Sequence, residues 1–345
     1  MQKQVLVIKL GTAVITDKEG LVNSKVLKKV AKNIATLAEH YNVVLVSSGA
    51  VGSGKAFIHN YKGTLTERKA AAAVGNPVLI NLYQKYFSLY NIPVAQALCE
   101  RHHFSNRTQF IQLKETFKAF WNSNIIPIVN ENDLVSNVEL KFSDNDELAT
   151  LIAVGFNAET LIICTSVGGF LNHEKEIIPV VSKIDDKVMG YISQDKSSVG
   201  LGGMISKITF AKLAVSLGIR VIICGLTHKE PFVAAMAGSN GTIFKAQPSN
   251  LKARQKWLVS GSITLGSMTL DAGAAKALNQ GRSLLTVGIK TVIGSFSMGE
   301  VVQLMDENKN IIGVAKSKLS AEQVAESLAE KNKLAAHAND IVVFN

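Results

Sequence analysis

The chain has 345 residues, 47% hydrophobic and 19% charged, which suits an ordinary globular protein with room for two domains and a sizeable core. No apolar run is long enough to span a bilayer, and the N-terminus lacks a signal peptide's long apolar segment, so no membrane partner is expected and the expected location is cytoplasmic. The net charge of +10 lies wholly in residues 1–259; residues 260–345 hold eight Lys and Arg against eight Asp and Glu, which argues against a nucleic-acid partner at that end.

The apolar run Val5–Lys9 predicts a first strand, followed by an amphipathic helix over 24–40 and a second strand over Val43–Ser47. The stretch Val46-Ser-Ser-Gly-Ala-Val-Gly-Ser-Gly-Lys-Ala56 then nearly spells a P-loop, G-x-x-x-x-G-K-[ST]. A P-loop needs a hydroxyl after its lysine to ligate magnesium, and Ala56 offers none. A glycine-rich turn with another purpose, steric or functional, is the better reading.

Helices are predicted next over 66–90, 107–124, 146–155 and 206–217, alternating with strands over 93–97, 125–130, 160–165 and 220–224. This alternation predicts an α/β fold, a largely parallel sheet sandwiched by helices, over residues 1–255. In such sheets ligands bind at the carboxyl ends of the strands. Four polar or glycine-bearing clusters fall there: Lys9-Leu-Gly-Thr12, Ser47-Ser-Gly-Ala50, Asn130-Glu-Asn-Asp133 and Thr165-Ser-Val-Gly168.

A polar, basic linker begins near Gln247, and the pattern then changes to short strands over 262–265, 290–293, 300–305, 311–315 and 340–344. Helices over 271–279 and 321–330 interrupt them, so residues 260–345 read as a small β-rich domain. Cys99, Cys164 and Cys224 are widely spaced among apolar residues, which predicts buried thiols and neither a metal site nor a disulfide framework.

Phosphoryl transfer spreads negative charge over the transferring oxygens, so it calls for positioned cations and backbone N–H donors. Lys9 leaves the sheet at its carboxyl edge, followed by Gly11, whose missing side chain lets backbone amides approach a phosphate. Lys207 follows the glycine run Gly200-Leu-Gly-Gly-Met-Ile-Ser206 at the start of a predicted helix. Ser143-Asp-Asn-Asp-Glu147 opens another helix; Ser143 or Asp144 can serve as its N-cap, and Asp146 can hold two lysine ammonium groups in place.

The segments "KLGTAV" (9–14), "VSSGAV" (46–51), "PIVNENDLV" (127–135), "FSDNDELA" (142–149) and "GLGGMISK" (200–207) occur in that order, and "GIKTVIGSFSMGEVV" (288–302) follows. Together the first five resemble the glutamate 5-kinases of the amino acid kinase family, and the last resembles a PUA domain. The resemblance runs over nearly the whole chain. It implies transfer of the γ-phosphate of ATP, with Mg2+, to the side-chain carboxylate of L-glutamate, the first step of proline synthesis. It further implies a homo-oligomer that hands its product to a glutamyl phosphate reductase.

By position in the motifs, Lys9 and Lys207 correspond to the lysines on the transferring phosphoryl group, and Asp146 to the aspartate that organises them. Ser48, Asp133 and Asn145 correspond to the glutamate-binding residues; Gly11, Thr165, Ser166, Gly202 and Gly203 join Lys9 and Lys207 around the nucleotide, and no protein residue is assigned to a metal. At Thr165-Ser166 the family usually carries Thr-Asp, so the serine keeps an oxygen without the charge, and Leu201 stands where a threonine is common. The segment Arg101–Arg107 is less acidic than the family loop associated with proline feedback, and feedback is not carried over. The alternatives are another amino acid kinase, acting on aspartate or N-acetylglutamate, and an RNA-binding protein working through the PUA-like domain.

Overall fold

A parallel strand covered on both faces has no solvent side to alternate toward, so its sequence is a continuous apolar run. The computed structural model, which describes residues 3–17, 19–134, 144–192, 203–249, 266–328 and 333–343, places such runs at the centre of one sheet. The chain divides into two units, one of residues 1–100 and 115–249, the other of residues 101–114 and 250–345.

β1 (Gln4–Leu10) leads the first unit, with Leu6, Val7, Ile8 and Leu10 fully buried. There follow in chain order α1 (Thr12–Ile15), α2 (Ser24–Ala38), β2 (Tyr41–Ser47), α3 (Ala50–Gly54), α4 (Leu65–Phe87), β3 (Val94–Cys99), then α5 (His102–Ser105), which belongs to the other unit, α6 (Arg107–Asn122), which belongs to this unit from Glu115 onward, and β4 (Ile126–Glu131). Beyond them come α7 (Asn145–Gly155), β5 (Thr160–Cys164), β6 (Val180–Val181), α8 (Asp186–Gly190), α9 (Met204–Ser216), β7 (Arg220–Cys224), α10 (Pro231–Met236) and β8 (Thr242–Phe244).

The eight strands form one sheet in the order β3-β4-β2-β1-β5-β7-β8-β6. Pairing is parallel from β3 through to β7, and β8 runs antiparallel to β7. The chain fills one side of β1 with β2, β3 and β4, then crosses to the other with β5 and β7. That reversal makes the carboxyl ends of β2, β1 and β5 the crevice where open α/β sheets receive ligands.

The helices start where their caps dictate. Asn23 accepts the Lys25 and Val26 amides at the head of α2, and Thr64 with Glu67 forms a capping box at the head of α4. The near-P-loop stretch has a largely steric explanation. Gly49 turns the chain out of β2 with φ 105°, a left-handed value that a side chain resists. Gly54 of α3 lies against Gly75 of α4, where a Cβ would stand 1.9 Å from the Ala71 carbonyl oxygen and 1.8 Å from that of Ala50 respectively. No residue but glycine fits either place. Lys55 turns away from the strand ends and donates its ammonium to the Glu19 carbonyl.

The second unit holds a five-stranded sheet in the order β11-β9-β12-β13-β15, made of β9 (Gly266–Leu270), β11 (Ile289–Gly294), β12 (Val301–Met305), β13 (Ile311–Lys316) and β15 (Ile341–Val343). A two-stranded ribbon pairs β10 (Leu284–Leu285) with β14 (Leu334–Ala336). α11 (Ala272–Asn279) is capped by Asp271 and α12 (Ala321–Glu326) by a Ser320–Gln323 capping box. Met268, Leu270, Val302, Leu304 and Val324 form its core at full burial.

The strands and helices predicted over residues 1–225 appear with ends shifted by at most three residues, most of them within the one or two by which helix ends fray. The short β6 and β8 were not foreseen. The predicted strand over 262–265 lies outside the described residues, and the observed strand begins at Gly266. All three cysteines are buried and free.

Candidate active site

Lys9 is the penultimate residue of β1, in register with Val46 of β2 and Ile163 of β5, so it sits at the carboxyl edge between two flanking strands. Its side chain is buried, at 5% exposure. A lysine ammonium tolerates such burial only with a partner. That partner is Asp146, fully buried in the first turn of α7, whose Oδ1 lies 2.5 Å from the Lys9 ammonium. Its other oxygen, Oδ2, accepts from the Lys207 ammonium at 3.0 Å. Lys207 comes from the first turn of α9 and is also buried. One carboxylate thus holds two ammonium groups brought from opposite ends of the unit's sequence.

Among the described residues Asp146 is the sole partner of the Lys9 ammonium, and an ammonium carries three donors. Two N–H groups therefore stay available on a buried cation. Room for a methyl lies beside them: a Cβ added at Gly11 would stand 3.6 Å from Lys9 Nζ and 3.7 Å from the Cys164 carbonyl oxygen. Gly203 forms the N-cap of α9, and among the described residues no side chain caps it, which leaves backbone N–H groups of that first turn for an anion. Buried N–H donors without a protein acceptor among the described residues, beside a glycine that leaves room for one more atom, suit the approach of a phosphoryl oxygen.

A second, uncharged network begins one residue earlier. Asn145 Nδ2 donates to Ser48 Oγ at 2.8 Å and to Asn130 Oδ1 at 3.0 Å. Asn130 Nδ2 donates in turn to Asn76 Oδ1 of α4, at 3.4 Å. Ser47 Oγ donates to the Ser48 carbonyl at 2.9 Å, so the buried Tyr83 hydroxyl, 2.7 Å away, is the donor to Ser47. Burial pushes the Tyr83 phenol well above its usual range, which keeps that donor protonated. The carboxyl end of β2 is thereby pinned beneath Ser48.

Asp144 links the helices that carry these groups. Its Oδ1 caps α7 by accepting the Asp146 and Glu147 amides, and its Oδ2 accepts the Ser206 hydroxyl, one residue before Lys207. α7 and α9 are tied at their N-termini by this carboxylate. Cys164 and Cys224 are register partners on β5 and β7; burial, with each other's proximity, raises the Cys164 thiol well above its usual range despite Lys9 nearby. Both are fully buried.

The structure brings Lys9, Asp146, Lys207 and Gly11 together, and it joins Ser48 to Asn145. Thr165 follows β5 directly; its amide donates to the Cys224 carbonyl at 2.9 Å and its hydroxyl accepts the Val167 amide at 3.3 Å. Ser166 beside it is exposed. Asp133 lies two residues past β4, partly buried, and makes no hydrogen bond to Ser48 or Asn145 among the described residues. Gly202, Ser143 and Leu201 lie outside the described residues. Asn76, Asn130 and Ser206 were assigned no role from sequence. Asn130 fell inside a polar cluster at a strand end, which was a usable signal; Asn76 lies in an alanine-rich helix, which gives none.

Comparison with known proteins places this arrangement. The amino acid kinase family matches residues 4–225, and the PUA domain matches residues 266–336. A glutamate 5-kinase of Synechococcus sp. is 37% identical over 338 residues, 94% of this chain and 91% of that one. A glutamate 5-kinase of Klebsiella pneumoniae is 36% identical over 314 residues, 88% of this chain and 85% of that one. Among solved structures, carbamate kinase from Giardia lamblia bound to AMP-PNP superposes with a TM-score of 0.53 at 18% identity, over 71% of this chain and 99% of that one, a likeness of fold.

Proposed function

Since the chain belongs to the amino acid kinase family, with a PUA domain behind it, we propose that it transfers the γ-phosphate of ATP to the side-chain carboxylate of L-glutamate. The product is L-glutamyl 5-phosphate, the first intermediate of proline synthesis. The observation that supports this best is the buried Lys9–Asp146–Lys207 cluster one residue from the Ser48–Asn145 pair.

A glutamate carboxylate is ionised at neutral pH, so the nucleophile needs no general base. Asp146 accordingly acts on the lysines: both its oxygens are engaged, and its role is to hold two cations against the transferring group. As the γ-phosphorus leaves ADP for the carboxylate oxygen, the charge on its oxygens is met by Lys9, Lys207 and the amides at the head of α9. Ser48, Asn145 and Asp133 bind the amino-acid end of glutamate. Gly11, Thr165, Ser166, Gly202 and Gly203 line the nucleotide.

Magnesium bound to the ATP phosphates supplies further positive charge at the transferring group. In this reading the metal is carried on the nucleotide and no protein residue is assigned to it, Asp146 being paired with the two lysines. Among the described residues no helix is long and apolar enough to cross a membrane. The reading makes this a cytoplasmic homo-oligomer whose reactive acyl phosphate is consumed by a glutamyl phosphate reductase.

The test is ADP release from magnesium–ATP with L-glutamate, L-aspartate, N-acetyl-L-glutamate or no acid, with hydroxylamine present to trap acyl phosphate as a coloured hydroxamate. ADP and hydroxamate with glutamate alone are expected. Turnover of another acid in place of glutamate would refute the substrate assignment. The aspartate, N-acetylglutamate and RNA-binding alternatives are not favoured, because the relatives matched along some nine-tenths of the chain are glutamate 5-kinases.

A further inference from the structure

The hydrogen-bonded chain from α4 to Ser48 has a direction, and the direction carries information about the ligand. A primary amide offers two N–H donors on one atom and one carbonyl acceptor on the other. Asn145 spends both donors inside the protein, on Ser48 Oγ and Asn130 Oδ1. Its Oδ1 has no partner among the described residues, and the side chain is partly exposed. Ser48 Oγ, having accepted, keeps its own proton to donate.

Ser48 alone does not impose this orientation, because a hydroxyl both donates and accepts. Asn130 does so, provided its own amide is held with Oδ1 toward Asn145. The acceptor that holds it is Asn76 Oδ1, on the other side. Asn130 and Asn76 are buried, at 6% and 8% exposure, where an amide turned the wrong way would set oxygen against oxygen. Among the described residues the Asn76 side chain makes no other hydrogen bond.

We infer that Asn130 and Asn76 are positioning residues that fix the polarity of Asn145, so that the site presents a carbonyl acceptor to the substrate's α-ammonium and the Ser48 hydroxyl to its α-carboxylate. The inference rests on the glutamate reading above and extends it. Recognition of a free α-amino group is set from α4, outside the contact shell of the substrate. Glutarate, an acid of the same length without the ammonium, meets the Ser48 hydroxyl through its carboxylate but gains nothing from the Asn145 carbonyl.

The experiment compares wild type, Asn130→Leu, Asn76→Leu and Asn76→Asp as full-length proteins. It measures KM for L-glutamate, KM for ATP and the inhibition constant of glutarate as a competitor of glutamate. Asn130→Leu should raise the glutamate KM about ten-fold, and Asn76→Leu about five-fold, the scale of one lost hydrogen bond. Glutarate inhibition and the ATP KM should change less than about two-fold, since neither uses the oriented carbonyl. Asn76→Asp keeps an acceptor in the same place and should stay near wild type. This variant also decides the matter if the leucine variants do not fold.

Equal weakening of glutamate and glutarate would overturn the inference, because that is what general damage to the pocket produces. So would an Asn76→Asp variant with a raised glutamate KM, which would mean that Asn76 donates and the chain runs the other way. A wild-type protein that does not phosphorylate glutamate would remove the underlying reading, and that failure is seen before any variant is measured.

Discussion

Replacing Gly11 with alanine should separate folding from chemistry at a single methyl group. Gly11 has φ −75° and ψ 156°, values that alanine adopts freely. The added Cβ would stand 3.6 Å from Lys9 Nζ and 3.7 Å from the Cys164 carbonyl oxygen, ordinary van der Waals contacts. Stability should therefore hold or rise, by up to about 1 kcal/mol, because alanine has less freedom to lose on folding than glycine. Turnover should fall. A phosphoryl oxygen must come within roughly 2.8 Å of the ammonium to accept its hydrogen bond, and the methyl occupies part of that approach. Loss of one charge-assisted hydrogen bond in the transition state, about 1.5–3 kcal/mol, corresponds to a roughly 10- to 100-fold lower kcat. Thermal unfolding and ADP release on the same preparation read both quantities. Wild-type turnover would show that no transferring oxygen passes beside Gly11. A clear fall in the unfolding temperature would show that the backbone there needs glycine after all.

Lys9→Ala and Lys207→Ala should each lower turnover by about 100-fold or more, as expected when a cation is removed from a transition state that develops negative charge; ADP release measures it, and wild-type rates would refute the assignment. Asp146→Ala should destabilise the fold by roughly 3–5 kcal/mol, since it strips the buried Lys9 and Lys207 of their shared carboxylate; urea unfolding checks it, and an unchanged midpoint would contradict the burial. Stability should also fall in alkali. Burial pushes the Cys99 thiol up to about 12 from an ordinary 9.0, so between those values the unfolded chain releases a proton that the folded one keeps. The contribution is complete below about pH 9 and is lost progressively toward pH 12. A Cys99→Ala variant should show a shallower decline between pH 9 and 11 in urea midpoints.

How much of this was legible in the sequence depended on the range over which each feature acts. The strands were readable because burial on both faces leaves unbroken apolar runs, as in Val5–Ile8 and Val43–Val46. The two lysines and Asp146 were readable as candidates because each lies at a strand end or helix start, where the fold class puts ligands. Their pairing was not: Lys207 and Asp146 are 61 residues apart, and only the packing of α7 on α9 makes them neighbours. Gly54 shows the converse error that a motif invites. Its place in a near-P-loop has a steric cause, its partner being the backbone of α4. Asn76 was invisible because nothing local distinguishes a polar residue that holds an amide 54 positions away from one that faces solvent. The two-residue β6 and three-residue β8 were missed because so short a run has no measurable period.

The first turn of α7 explains why one site can unite two chemistries. Successive residues of a helix point about 100° apart, so three neighbours there address three directions. Asp144, at the cap, reaches Ser206 and fixes the head of α9. Asn145 reaches Ser48 and Asn130, at the ends of β2 and β4. Asp146 reaches Lys9 on β1 and Lys207 on α9. The amide network and the cation pair thus share one rigid helix start, and the spacing between them is set by backbone geometry rather than by a loop. A substrate held by its amino-acid end at Asn145 has its reach toward the lysines defined by the same turn. On the proposed reading, length discrimination between glutamate and a shorter diacid would follow from the fold: an acid one methylene short, anchored at Ser48 and Asn145, would leave its carboxylate about 1.3–1.5 Å away from where the longer acid puts it, and misplacement on the order of 1 Å is enough to cost about 100-fold in rate.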